Sequence, residues 1–191
     1  MTVPQLAALL AAGACFASYA WGLGRFFWTP PGPAAAGRWA ITGATALSMA
    51  AHGIALAHFY RPAPAGYALA MPLYAISLAM FWWCVRVNRA QPLSLAFSQD
   101  RPDHIVMQGP YAAIRHPFYA SYMLCWIAGV LASGQWPLAA TVVLMGWIYH
   151  RAASLEEAKF ASSALAEPYR RYARQTGRYL PRHWPRFGKR A

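Results

Sequence analysis

The sequence predicts an all-α integral membrane protein. About five transmembrane helices are expected, the last two forming a short helical hairpin, with a helix and a basic tail following on the cytoplasmic side. Three observations carry this expectation. Apolar residue types make up 58% of the 191 residues and charged types only 12%, where a soluble domain is roughly a quarter charged. Uncharged apolar runs of membrane-crossing length recur along the chain. Lysines and arginines gather in alternate connections: sixteen of the seventeen fall on one side of a five-span topology and only Arg61 on the other, as the positive-inside rule requires when that richer side is cytoplasmic.

The first span is Val3 to Leu23, which carries no charge and is about 20 residues long, enough to cross the hydrocarbon core. No cationic leader or small-residue cleavage site marks it as a signal peptide, so it is expected to be retained. Arg25 and the run Thr29 to Pro33 end it. Gly22 and Gly24 form only a G-x-G with no preceding strand, and read as packing or turn glycines rather than a dinucleotide loop. The second span, Trp39 to Tyr60, begins with small residues (Gly43, Ala44, Ala46, Ser48, Gly53) that let a neighbouring helix approach. Its His52 and His58 do not share a helical face, which argues against a metal pair. Pro62 and Pro64 mark a turn, and the third span is Gly66 to Val85.

From Arg86 to Arg115 the chain is polar and holds Pro92, Asp100, Pro102, Asp103 and His104. A connection of roughly 30 residues in so small a protein reads as functional. Phe118 to Ala132 and Trp136 to Tyr149 follow as two short apolar segments joined at Ser133-Gly134-Gln135, a helical hairpin whose ends share one side of the membrane. Arg151 to Glu167 continues as helix. Pro168 to Ala191 is basic and aromatic, with Tyr169, Tyr172, Tyr179, Trp184 and Phe187, and suits a membrane surface of anionic lipid. The whole reads as one membrane domain, a three-span part (1–85) and a part with loop, hairpin and tail (86–191), with no room for a separate soluble domain of ~100–150 residues.

Several function classes are set aside by composition. The positive charge is massed after the last apolar run with no recognisable reading module, so nucleic acid is not an expected partner. Cys15, Cys84 and Cys125 lie singly in apolar runs without metal spacing, and no metal is expected. What remains is polar chemistry at a helix mouth. Gly109 to Tyr119 places Tyr111, Arg115, His116 and Tyr119 just before an apolar helix, where a charged group needs a partner, water or a ligand. Only five acids exist: Asp100, Asp103, Glu156, Glu157 and Glu167. Glu156 and Glu157 sit at the other foot of the same hairpin, with His150 two turns before Glu157 on one face. The residues alone leave two readings open, an ion-pair network that pins the hairpin or a reactive site.

The run Gly109-Pro110-Tyr111, then Arg115-His116-Pro117 and Tyr119, followed by Glu156-Glu157 and by Tyr169, Tyr172, Arg178 and Pro181, resembles the isoprenylcysteine carboxyl methyltransferase family and its membrane methyltransferase relatives, phospholipid methyltransferases among them. The resemblance covers Gly109 to Pro181. Leu165-Ala166 stands where such proteins often carry Phe-Gly, and the gap after the Glu pair is one residue longer. The resemblance implies a cytoplasmic pocket for S-adenosyl-L-methionine under the long loop and the tail. Arg115 and His116, with Tyr111 or Tyr119, would bind the cofactor's carboxylate; Glu156 or Glu157 its ammonium group; and tail aromatics, Tyr169 and Tyr172 among them, would enclose the adenine. Arg115, His116, Glu157 and Arg178 are the catalytic candidates, with Arg178 orienting an anionic acceptor that enters from the bilayer. Methylation of a carboxylate on a lipophilic or lipidated acceptor is the first reading. Methylation of a lipid amine or a thiol is the second, and a non-enzymatic membrane protein that binds lipid or a partner is the third. Small-residue faces serve internal packing as readily as dimerisation, so oligomeric state stays open.

Overall fold

The structure, a computed structural model, describes residues 1–27, 36–90 and 103–182. The Thr29 to Pro33 run, Pro92, Asp100 and Pro102 of the long loop, and Trp184 and Phe187 of the tail lie outside the described residues. The described chain is helical: α1 (Val3–Trp21), α2 (Ala36–His58), α3 (Pro64–Val87), α4 (Pro117–Ser133), α5 (Ala139–Ala161) and α6 (Ala166–Gln175), with single 3-10 turns at Gly109–Ala112 and Trp136–Leu138. Four stretches are long and apolar enough to cross a membrane, Val3–Phe26, Trp39–His58, Pro64–Val87 and Trp136–Ala161, while α4 is a shorter apolar helix of 17 residues. The second arm of the hairpin is therefore not short. The apolar run ends near Tyr149, but α5 continues unbroken for 23 residues to Ala161 because Arg151 to Lys159 contains no Pro or Gly to stop it.

Local chemistry sets the ends of these helices. Thr2 caps α1 through a reciprocal pair, its hydroxyl accepting from the Gln5 amide while the Gln5 side chain accepts from the Thr2 amide. The same Gln5 donates to the carbonyls of Leu56 and Ala57 at 3.0 and 2.9 Å, fastening the start of α1 to the end of α2, so the two run antiparallel. A π-helical turn, Gly22–Phe26, ends the first span. A Cβ on Gly22 would lie 2.9 Å from the Phe81 ring, whereas Gly24 faces open space, so only the first of the two is a packing glycine.

On α2 the small residues play a different part from the one expected. Gly43 and Gly53 have no neighbour within 4 Å of where a Cβ would stand. The close approach is instead made by α4, where a Cβ on Gly129 would fall 2.0 Å from Nδ1 of His52. His52 is fully buried, stands edge-on to Trp126 and shares a 2.8 Å hydrogen bond with the Thr141 hydroxyl of α5. Thr141 itself donates to the Leu138 carbonyl, so the imidazole Nε2–H donates to Thr141. One histidine thus ties three helices together.

The core runs between α1, α3 and α4, with α3 and α4 packed along each other most extensively. Tyr19, Phe81, Phe118 and Tyr122 form its aromatic centre. Within it the Tyr19 hydroxyl donates to Ser77 (2.5 Å) and Ser77 to the Ser121 carbonyl (2.7 Å), so these two buried hydroxyls are satisfied in an apolar interior. At the end opposite the polar cluster the turn at Arg61 meets the hairpin turn. Gly134 adopts φ 70° as the αL cap of α4, a conformation that strains an L side chain, and a Cβ there would lie 2.2 Å from the Arg61 carbonyl. Arg61 N–H donates to Ser133 (2.9 Å) and the Gln135 side chain to Phe59 (2.6 Å). The two turns expected to share one side do sit together.

Gly129→Ala overpacks the α2–α4 crossing and is expected to destabilise the detergent-solubilised protein by about 1–3 kcal/mol. Removing the opposing ring in His52→Ala makes room, so the double variant should lose less than the sum of the singles in thermal unfolding.

Candidate active site

The polar cluster is assembled by two backbone devices. At Gly109 φ is +57°, and a Cβ there would lie 2.6 Å from Val87 and 2.9 Å from the Trp83 ring nitrogen. Glycine is therefore needed for the chain to turn against the end of α3. The 3-10 turn that follows buries Tyr111, whose hydroxyl accepts from Asn88 Nδ2 (3.1 Å) and whose carbonyl accepts from the Tyr172 hydroxyl (2.7 Å). Then the chain just before α4 pairs in parallel with the chain just after α6. Gly177 donates to Ala113 (3.1 Å), Arg115 to Gly177 (2.8 Å) and His116 to Arg178 (3.1 Å), around an Ile114–Gly177 bridge. This short ladder lays Arg178 beside Arg115 and His116.

Glu157, projecting from α5, is the common acceptor. Its Oε1 accepts from Arg115 Nε (3.0 Å), His116 Nε2 (3.1 Å) and Arg178 Nε (3.1 Å), and its Oε2 from Arg178 Nη2 (2.5 Å). The Arg178 pairing is the bidentate fork that suits guanidinium and carboxylate. Arg115 also donates from Nη1 to the carbonyls of Ala173 (3.1 Å) and Thr176 (2.6 Å), capping α6 with a cation where its dipole is negative. His116 lies between the two acids, Nε2 on Glu157 and Nδ1 3.5 Å from Glu156. The Tyr119 hydroxyl donates to Glu156, and the rings of His116, Tyr119 and Tyr149 stack in a column.

Burial alone would disfavour charge on His116. The hydrogen bonds and charges of Glu156 and Glu157 outweigh it and raise the imidazole pKa above its ordinary value. The two carboxylates thus hold the charged form of His116 more firmly than that of an ordinary imidazole.

Arg115, His116, Tyr119, Glu156, Glu157 and Arg178 are accordingly brought into one cluster. Tyr111, Tyr169 and Tyr172 are brought to its flank, with their rings engaged otherwise: Tyr169 stacks on Phe160 at 4.3 Å, and Tyr172 holds Tyr111. The side chains of Arg115 and His116 are 10% and 7% exposed, against 34% for Glu156 and 27% for Arg178. The accessible edge of the cluster is therefore Glu156 and Arg178. Beside it stand His150, 3.5 Å from Arg178 Nη1, and the Tyr179 hydroxyl, 3.5 Å from the same imidazole nitrogen. Among the described residues no group of acids, histidines and cysteines is arranged to hold a metal. Asn88, which orients Tyr111, carries no sequence signal; a lone Asn after an apolar helix is ordinarily a C-terminal cap.

The ion cluster thus stands at the feet of α4 and α5, at one end of a helical bundle with four helices long and apolar enough to cross a membrane. Residues 65–167, from the start of α3 to the start of α6, match the phospholipid methyltransferase family, and the chain belongs to that family. The match takes in the Gly109–Tyr119 run and both glutamates and ends before Arg178. No curated protein and no solved structure matches the chain. Family membership supports a membrane methyltransferase over the non-enzymatic alternative.

Glu157→Gln is expected to cost about 3 kcal/mol, since three cationic groups lose the charge of a shared, partly buried carboxylate. Glu156→Gln, at a partly solvated and screened position, should cost under about 1 kcal/mol; chemical denaturation of the two variants in detergent measures the contrast. His116 has a higher pKa folded than unfolded, where it is about 6.5. Its stabilising contribution is therefore complete below the unfolded value and is lost as pH rises through the folded pKa. Melting temperature should decline over that window in the wild type and stay flatter in His116→Gln.

Proposed function

We propose that this protein transfers a methyl group from S-adenosyl-L-methionine to a carboxylate of a lipophilic or lipidated acceptor, at the cytoplasmic face of the membrane. One observation carries the choice of acceptor: the acid–base groups of the cluster are engaged with one another, while a guanidinium edge is left accessible. Glu157 is saturated by four donor contacts, and His116 lies between two carboxylates that favour its charged form. A carboxylate acceptor is already ionised near neutral pH and needs no base, whereas an amine must first lose a proton.

The residues fit the cofactor by their charges. When bound, S-adenosylmethionine supplies a methyl group made electrophilic by a sulfonium. Glu156, the more accessible acid, suits the ammonium group of the cofactor's amino-acid end, and Arg178 supplies the cationic edge that carboxylates require. Arg115 and His116 act in this reading through Glu157 and Glu156, as positioning residues that fix the acids and set the local potential. Tyr119 orients the Glu156 carboxylate. With groups held by a ladder and a bidentate fork, alignment and exclusion of water are the protein's main contributions to an in-line displacement. Sidedness rests on the distribution of lysine and arginine, sixteen to one, and lateral entry from lipid suits an apolar acceptor. The family match supports a second reading, transfer to a phospholipid amine, for which His150 at the rim is the available proton acceptor.

Incubation with methyl-labelled cofactor and membrane extract, followed by base, separates the two. Ester product releases volatile labelled methanol; retained label sinks the carboxylate reading. Arg178→Ala should lower turnover by at least tenfold, the scale of losing one charge-assisted contact of about 1.5–3 kcal/mol, with Arg178→Lys recovering only part of it.

A further inference from the structure

The helix α6 is sharply two-faced. Tyr169 and Tyr172 are buried against the bundle, while Glu167, Arg170, Arg171, Arg174 and Gln175 are exposed. The division follows helical periodicity, because residues three and four apart share a face. The side chains of Arg170 and Arg174 are 68% and 72% exposed and share one acid, Glu167, at 2.7 and 3.8 Å. Arg182, also exposed, joins them, its Nη1 donating to the Arg174 carbonyl at 3.2 Å. Four arginines thus stand against one acid on a face that the Glu157 cluster, built from other cations, leaves aside.

The backbone ladder fixes where this face lies. Gly177 and Arg178 pair with residues 113–116, and the chain runs from there directly into α4 at Pro117. The C-terminal end of α6 is therefore held where α4 enters the bilayer. Along the helix, Arg174 is about 5 Å and Arg170 about 11 Å from Gly177. A charged surface acts over roughly 8 Å in physiological salt, before the reach of the side chains is added. Beyond Gly177 the chain turns tightly, since a Cβ there would collide with the Leu180 carbonyl. The turn presents Leu180, 79% exposed, between Arg178 and Arg182. An exposed leucine flanked by arginines suits an interface, where the apolar chain meets acyl tails and the cations meet phosphates. A soluble acidic partner would match the arginines but would have to reach them beside the headgroups.

We propose that the outer face of α6, continued to Arg182, docks on anionic lipid headgroups of the leaflet at the mouth of α4, with the arginines on phosphates and Leu180 among the acyl chains. The tail as a whole suits a membrane surface; the fold narrows the contact to one helix face, and to the end of that helix joined to the ion cluster. Arg115 makes the joint, binding Glu157 through Nε and the Ala173 and Thr176 carbonyls of α6 through Nη1. Each arginine brought to an anionic surface strengthens the contact about fivefold, so a face with several of them discriminates between charged and zwitterionic bilayers. The docking is independent of which acceptor the enzyme methylates.

Fluorescence quenching on the full-length protein in nanodiscs tests this. Cys15, Cys84 and Cys125 are buried, so a fluorophore attached through Gln175→Cys reports from the exposed face of α6. Discs of phosphatidylcholine alone are compared with discs containing about 30% phosphatidylglycerol, each with the same trace of phosphatidylcholine carrying a nitroxide on its headgroup. Quenching should be at least about twofold greater in the anionic discs, and high salt should remove the gain. Combining Arg170→Gln, Arg171→Gln and Arg174→Gln should abolish the gain, whereas lysine at the same three positions should keep most of it. Equal quenching in the two kinds of disc overturns the proposal, as does a gain that survives in the glutamine variant. A label that responds to added polyglutamate in zwitterionic discs, and not to anionic lipid, overturns it in favour of a soluble acidic partner.

Discussion

Everything at the polar end of this molecule depends on the carboxylate of Glu157. It is a single acceptor contacted by donors from the segment before α4 and from the segment after α6, while its own backbone belongs to α5. A carboxylate this enclosed is costly to desolvate, and the attraction of a paired cation repays the cost only when geometry is good and the remaining lone pairs are satisfied. Here both oxygens are bonded, one of them three times. The ion pairs and the backbone ladder then reinforce each other: the ladder delivers Arg178 to the acid, and the acid fixes the ladder in register. Glu156 is the counterpart, held by Tyr119 and His116 but left partly open. Two adjacent glutamates of identical chemistry are thus separated into a structural acid and an available one by what surrounds them.

The interior is handled with similar economy. Hydroxyls of Tyr19 and Ser77 and the Ser121 carbonyl form a relay across α1, α3 and α4, and His52 is locked by one hydrogen bond and by the absence of a side chain at Gly129. In an apolar medium such links serve less as glue than as selectors of register, because a shifted helix would strand each polar atom.

Much of this was legible in the sequence. Apolar runs and breaks at Arg25, Pro62 and Gly134 locate the spans, since length and hydropathy are nearly sufficient when the backbone must satisfy itself. The convergence of Arg115, His116, Glu156, Glu157 and Arg178 was readable from hairpin parity and the motif. Helix past Tyr149 was readable too, because helix propensity persists beyond Arg151 where hydropathy falls, but the break between α5, ending at Ala161, and α6, beginning at Ala166, was not. The positions of Tyr111, Tyr169 and Tyr172 were readable only as aromatics near the site; that their polar atoms or faces are taken up by Asn88, Phe160 and one another depends on contacts between residues up to 61 apart. Gly43 and Gly53 misled and Gly129 was overlooked, because small residues announce that close approach is allowed and not which of them a neighbour uses.

The parallel pairing of residues 113–116 with 177–178 also sets an order of assembly. The four candidate spans among the described residues are all synthesised before Gly177 and Arg178, so these helices are complete while Glu157 still lacks one of its cations and the segment before α4 still lacks its partner. The cluster closes only when the chain beyond α6 has emerged and folded back. A nascent or prematurely terminated chain therefore carries an intact hairpin with an open, acid-exposing foot, a surface that membrane quality control could distinguish from the finished protein.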